Sequence, residues 1–111
     1  MTYDKTYFPY PSTDTIKKFF IITNQGKKIR FGAKSYDHFT EGHLDEEIKQ
    51  RYLNRHKKRE KWEDPNTAGY WSAKFLWFYP TYKEAYAKIK EVLLKKGYIA
   101  EEQYKKYIWK G

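Results

Sequence analysis

The sequence predicts an α+β fold: an N-terminal β-hairpin followed by about four helices, in a single small domain over residues 16–111 preceded by an extended aromatic arm, residues 1–15. Three observations predict it. An aromatic and β-branched run, residues 18–23, leads through Asn24-Gln25-Gly26 into an alternating segment, residues 28–33, and this is how a hairpin reads. Beyond residue 44 the apolar residues recur every three to four positions, the period of a helix. With 111 residues holding 12 Tyr, 7 Phe and 4 Trp, the chain has material for one core built from rings.

In the arm, Pro9 and Pro11 fix their own φ and push their predecessors into extended backbone. Tyr3, Tyr7, Phe8 and Tyr10 make it too aromatic to stay in water, so it is expected to dock on its own domain or on a neighbouring subunit. In the hairpin, Gly26 suits the left-handed position of a three-residue loop. Ile29, Phe31 and Ala33 then share the buried face, and Lys28 and Arg30 give the second strand a basic outer face.

Residues 38–44 read as a polar connection containing Gly42, and residues 44–62 as a helix. Asp45, Glu46 and Glu47 at its start and the cations of its second half complement the helix dipole. Asp45–Lys49 and Glu47–Arg51 fall at i,i+4 in the acid-first order. Leu44, Ile48, Tyr52 and His56 form one stripe, and Lys57, Lys58 and Lys61 point away from it. After a break at residues 63–66, Thr67 can cap a helix over residues 70–79 that is apolar nearly all round, hence central, with Pro80 ending it. Thr81 and Glu84 match a capping box, opening a helix with Tyr82, Ala85, Tyr86, Ile89 and Leu93 on one face and Gly97 as its stop. A short last helix over residues 101–109 presents Tyr104, Tyr107 and Ile108.

Charge is concentrated in one place. The formal net charge is +9, yet residues 1–48 sum to zero. Residues 49–61 hold Lys49, Arg51, Arg55, Lys57, Lys58, Arg59 and Lys61 against Glu60 alone. A block of this kind attracts phosphate backbones, anionic surfaces or acidic protein partners.

Several classes are excluded or disfavoured. With no Cys there is no disulfide framework, thiolate nucleophile or Cys-ligated metal. The first fifteen residues hold no apolar signal segment, so an intracellular rather than secreted protein is expected. The longest apolar run, residues 75–79, is far short of the roughly 20 residues that span a bilayer. His38 and His43, with Asp37 and Asp45 nearby, match no familiar metal spacing. His56 and Glu60 at i,i+4 are the best acid–base pair on offer, and no phosphate loop or nucleophile elbow accompanies them. No cofactor, metal, catalytic residue or small-molecule substrate is therefore expected. Tyr70, Trp71, Phe75, Trp77 and Phe78 could stack bases, but at helical spacing they read as core.

Three blocks of the chain resemble a known family. They are Phe31-Gly32 with Tyr36-Asp37, then residues 51–62 (RYLNRHKKREKW), then Thr67-Ala68-Gly69 with Trp71-Ser72 and Leu76-Trp77. The resemblance is to small uncharacterised proteins of large DNA viruses, including giant algal viruses, and of some phages, with the pattern FGxxxYxD, RYxxRHxxxExW and TAGxWSxxxLW. It covers roughly residues 19–80. It implies no activity, only a context: a viral protein packaged in, or building, the particle, found in the virion or the host-cell interior. The expectation is therefore a non-enzymatic, virion-associated protein that meets an acidic partner, such as a viral structural protein, through the seven cations of residues 49–61. The alternative is sequence-nonspecific nucleic-acid binding by the same residues.

Overall fold

The structure, a computed structural model, describes residues 3–57 and 62–109. Three antiparallel strands open it: β1 (Tyr10–Pro11), β2 (Lys17–Ile22) and β3 (Lys28–Ala33), in the order β1-β2-β3. Among the described residues a short π-helical segment, Phe39–His43, and four α-helices follow: α1 (Glu46–His56), α2 (Ala68–Leu76), α3 (Tyr82–Lys95) and α4 (Glu101–Lys106). The fold is α+β, as the sequence predicts.

In the β2–β3 hairpin Phe19 pairs with Phe31 and Ile21 with Ile29, so alternation puts all four against the core. Gly26 sits at φ 81° and donates its N–H to the Thr23 carbonyl at 2.9 Å. The arm supplies β1, with Tyr10 opposite Phe20 and Pro11 opposite Phe19, so it docks on its own domain. A Pro is tolerated there because β1 is an edge strand. Phe20 points to the outer face by alternation, yet Tyr3, Tyr10 and the Lys28 ammonium close over its ring and leave it buried.

α1 starts at Glu46 rather than Leu44. Asp45 is its cap, accepting from the N–H groups of Glu47 (2.9 Å) and Ile48 (3.3 Å), while Leu44 turns left-handed at φ 54° and stays exposed, off the Ile48–Tyr52 stripe. That role takes Asp45 away from the expected pair with Lys49, whose ammonium lies 3.9 Å from Glu46 instead. Among the described residues no ion pair joins Glu47 to Arg51. The expected continuation of this helix through residues 58–61 lies outside the described residues.

α2 is capped by the Thr67 hydroxyl, which accepts from Tyr70 N–H. It stops at Leu76, before Pro80: Trp77 leaves helical geometry at φ −127°, and both Trp77 and Phe78 donate to the Ala73 carbonyl. The cause is tertiary, since Trp77 turns to stack flat on Tyr52 at 4.2 Å and 7°. α3 carries the Thr81 half of its capping box, with Glu84 N–H at 3.2 Å. Its end is a Schellman motif, in which Gly97 at φ 82° donates to Leu94 and Tyr98 donates to Leu93. α4 ends at Lys106, short of Trp109, because Tyr107 turns extended to bury its ring and gives its carbonyl to the Lys90 ammonium at 2.9 Å.

α2 lies between the sheet and α3. Trp71, Phe75 and Leu76 are fully buried there, and Phe75 meets Phe19 at 5.3 Å and Tyr82 at 4.9 Å. The Trp71 indole N–H donates to the Pro65 carbonyl at 2.9 Å, so its burial leaves no unpaired donor. These rings are core, not an open stacking platform. No helix among the described residues is long and apolar enough to cross a membrane.

Candidate functional site

The cations predicted to make the site do not act alike. Lys49 turns inward: its ammonium donates to the Phe78 carbonyl at 3.0 Å and sits 4.7 Å from the centre of the Phe39 ring. Arg51, Arg55 and Lys57 are exposed along the later turns of α1 and just past its end. Lys58, Arg59 and Lys61 lie outside the described residues, as does Glu60, the expected acid partner of His56.

Beside α1 is a cleft of about 350 Å³. Gly32 and Ala33 at the end of β3 form one wall, α1 contributes Tyr52, Arg55 and His56, and the first turns of α2 contribute Ala68, Gly69 and Ser72. Lys17 stands at the sheet end, and Tyr36, His38 and Trp77 complete the lining. Among the described residues no Asp or Glu lines it. Ala68 and Ser72, four apart, present one face of α2 to this cleft, while Trp71 and Phe75 present the other to the core.

Trp77 is the hub behind the cleft. It is 1% exposed and meets the rings of His38 at 5.7 Å, Tyr36 at 5.8 Å and His43 at 5.5 Å, besides its stack on Tyr52, which in turn stacks on His56 at 4.3 Å. Each histidine has its own setting. His38 Nδ1 lies 2.8 Å from the Lys18 ammonium, which has only donors, so Nδ1 accepts and the ring proton sits on Nε2. Burial, and then the Lys18 charge, push the His38 pKa down to about 4, against the pull of Asp37. His43 Nδ1 accepts the Asp45 N–H at 2.9 Å, and its Nε2 is buried without a hydrogen-bond partner among the described residues. Held apart in this way, His38, His43, Asp37 and Asp45 do not converge, and no group of three or more potential metal ligands forms among the described residues.

Reading by spacing pointed to the basic run, weighed His38 only as a metal ligand, and passed over Tyr36 and Ser72. A signal for them was present. Gly32 and Tyr36, then Tyr52, Arg55 and His56, then Ala68, Gly69, Ser72 and Trp77 come from the three separate sequence blocks, and the fold brings all three to one cleft.

The fold and site define a small α+β domain with a basic helix flanking an aromatic-backed cleft. Over residues 10–56, from β1 to the end of α1, the chain is similar to a family of unknown function (DUF5754). The first sequence block and residues 51–56 of the second fall in that span, and the third block lies beyond it. No curated protein and no solved structure matches the chain.

Proposed function

We propose that the chain is a non-enzymatic, virion-associated protein that contacts an acidic partner surface through α1. One observation carries the reading. Arg51, Arg55 and Lys57 stand exposed on α1 and just past its end without an ion-pair partner among the described residues, within the segment that holds most of the net charge. Such like charges repel, a standing cost that an anionic partner relieves. The viral context rests on the resemblance of the three sequence blocks.

Charge reversal of Arg51 and Lys57 to Glu tests it. Both are exposed, so stability should change by only about 0.5 kcal/mol. Incorporation into purified particles, followed by mass spectrometry, should be lost. Normal incorporation of the double variant sinks the proposal. A second reading, nucleic-acid binding by the same face, is favoured by the way Arg55 joins that face to a cleft with no carboxylate among its described lining residues. It predicts retardation of a random duplex, with the slope of log K against log salt falling by roughly 0.9 for each cation removed.

A further inference from the structure

We propose that a second cleft, between α2 and the C-terminal half of α3, binds a phosphate group, free or as a small monoester, held by Lys74, Lys88 and Lys96. The inference is independent of the surface reading above, because none of these cations belongs to α1.

Two helix stripes make the cleft. Tyr70 and Lys74, four apart on α2, line it together with Lys88, Val92 and Lys96, which recur at the same interval along α3 and its C-cap. Glu63 is the one acid among the described lining residues. None of the three lysines forms an ion pair among the described residues. Lys96 gives its ammonium to the main-chain carbonyl of Glu63, at 3.2 Å, rather than to the carboxylate. Three cations therefore share one concave space with a single opposing charge.

Lys74 is the member that the fold confines. It is half-buried, with its ammonium 4.3 Å from the centre of the Phe78 ring. Burial, and then the charge of Lys96, hold its pKa below the usual lysine value, against the pull of Glu63. A cation that loses water and faces a like charge is destabilised, and an oxyanion between Lys74 and Lys96 offsets both causes at once. Tyr70 brings no negative charge of its own, since burial pushes its hydroxyl pKa up to about 12.

Size narrows the ligand. The cleft is about 140 Å³, well below the roughly 300 Å³ of sites that enclose drug-sized ligands, so it takes the phosphate and leaves any esterified group outside. Such a group meets apolar surface there: Val92 is 37% exposed, and Trp62, edge-on to Phe78 at 5.4 Å, is half-buried. A phosphate monoester carries roughly 1.5–2 negative charges at neutral pH and three free oxygens for ammonium donors, whereas a sulfate ester of the same shape carries a single charge.

The test is a side-chain and amide chemical-shift titration of the whole chain at fixed salt, with inorganic phosphate, phenyl phosphate and phenyl sulfate as probes. Saturable shifts at the Lys74 and Lys96 side chains and the Val92 amide are expected with both phosphates, and the Lys74 pKa should rise on binding. Lys74→Met removes the charge and keeps an apolar stem, so affinity for phenyl phosphate should fall by at least about tenfold, or 1.4 kcal/mol. Lys88 is exposed, so Lys88→Gln should fold as the wild type and weaken binding as well, which carries the test where Lys74→Met is poorly folded. Arg51→Glu with Lys57→Glu should leave binding in place, whatever happens to partner binding. Phenyl phosphate that binds more tightly than inorganic phosphate assigns the site to monoesters, and equal binding assigns it to the free ion. Non-saturating shifts in the wild type, phenyl sulfate that binds as tightly as phenyl phosphate, or unchanged affinity in both lysine variants would each overturn the proposal.

Discussion

At the scale of single residues, Trp71 and His38 carry the clearest consequences. Trp71 is fully buried against Phe31 with its N–H satisfied by Pro65, so Trp71→Ala removes both the packing and the bond. It should cost about 3–5 kcal/mol in urea unfolding. A variant that keeps the wild-type midpoint but loses ligand would mark Trp71 as a binding platform instead. His38 governs acid stability. Its folded pKa of about 4 lies below the 6.5 of an unfolded chain, so between those values only the unfolded state takes up the proton. The groups facing it are Lys18 from β2, Asp37 and His43 from its own loop, and the Tyr36 and Trp77 rings. Stability should be fully present above pH 6.5 and fall by roughly 2–3 kcal/mol as pH drops toward 4. Replacing Lys18 with Met should raise the His38 pKa, read from its ring proton shifts, and a titration unmoved by that change would refute the assignment. Lys49 shows what sequence could not supply. It belongs to a basic run, and only the fold reveals that the Phe78 carbonyl takes its ammonium.

Between elements, β3 meets α2 closely at Gly32. Gly32 adopts φ 76° within a strand, and a Cβ there would stand 2.7 Å from Leu76 Cδ1. Gly32→Ala combines left-handed strain with overpacking and should cost about 2–4 kcal/mol in thermal or urea unfolding. Gly97 has a similar φ of 82° and nothing within 4 Å, so Gly97→Ala should cost only about 1 kcal/mol. Equal losses at the two sites would mean that Leu76 yields freely. How far sequence could reach also divides along elements. The hairpin, the Thr67 and Thr81 caps and the Gly97 stop were legible because each is decided by residues a few positions apart. The end of α2 was not, since Trp77 leaves the helix to meet Tyr52 from α1, and no local spacing encodes that. The cleft was hidden for the same reason: its walls are separated by stretches of chain, and only its basic member, Arg55, stood out in the composition.

Across the whole molecule the arm and the C-terminal residues meet. Thr6 N–H donates to the Tyr107 hydroxyl across 101 positions of sequence, and the Trp109 ring lies 5.9 Å from Phe8 and 6.2 Å from Phe19. Trp109 also covers Phe75 and Tyr82, so the same residue seals the sheet, α2 and α3 together. The radius of gyration is 13.5 Å, close to the roughly 13 Å usual for such a length. The arm and the segment after α4 thus meet as a clasp over the sheet. A permuted chain that joins the segment after α4 to the arm by a short linker and reopens at the exposed Asn24–Gln25 turn would make the Thr6–Tyr107 bond a neighbourly one and leave the packing between the elements unchanged.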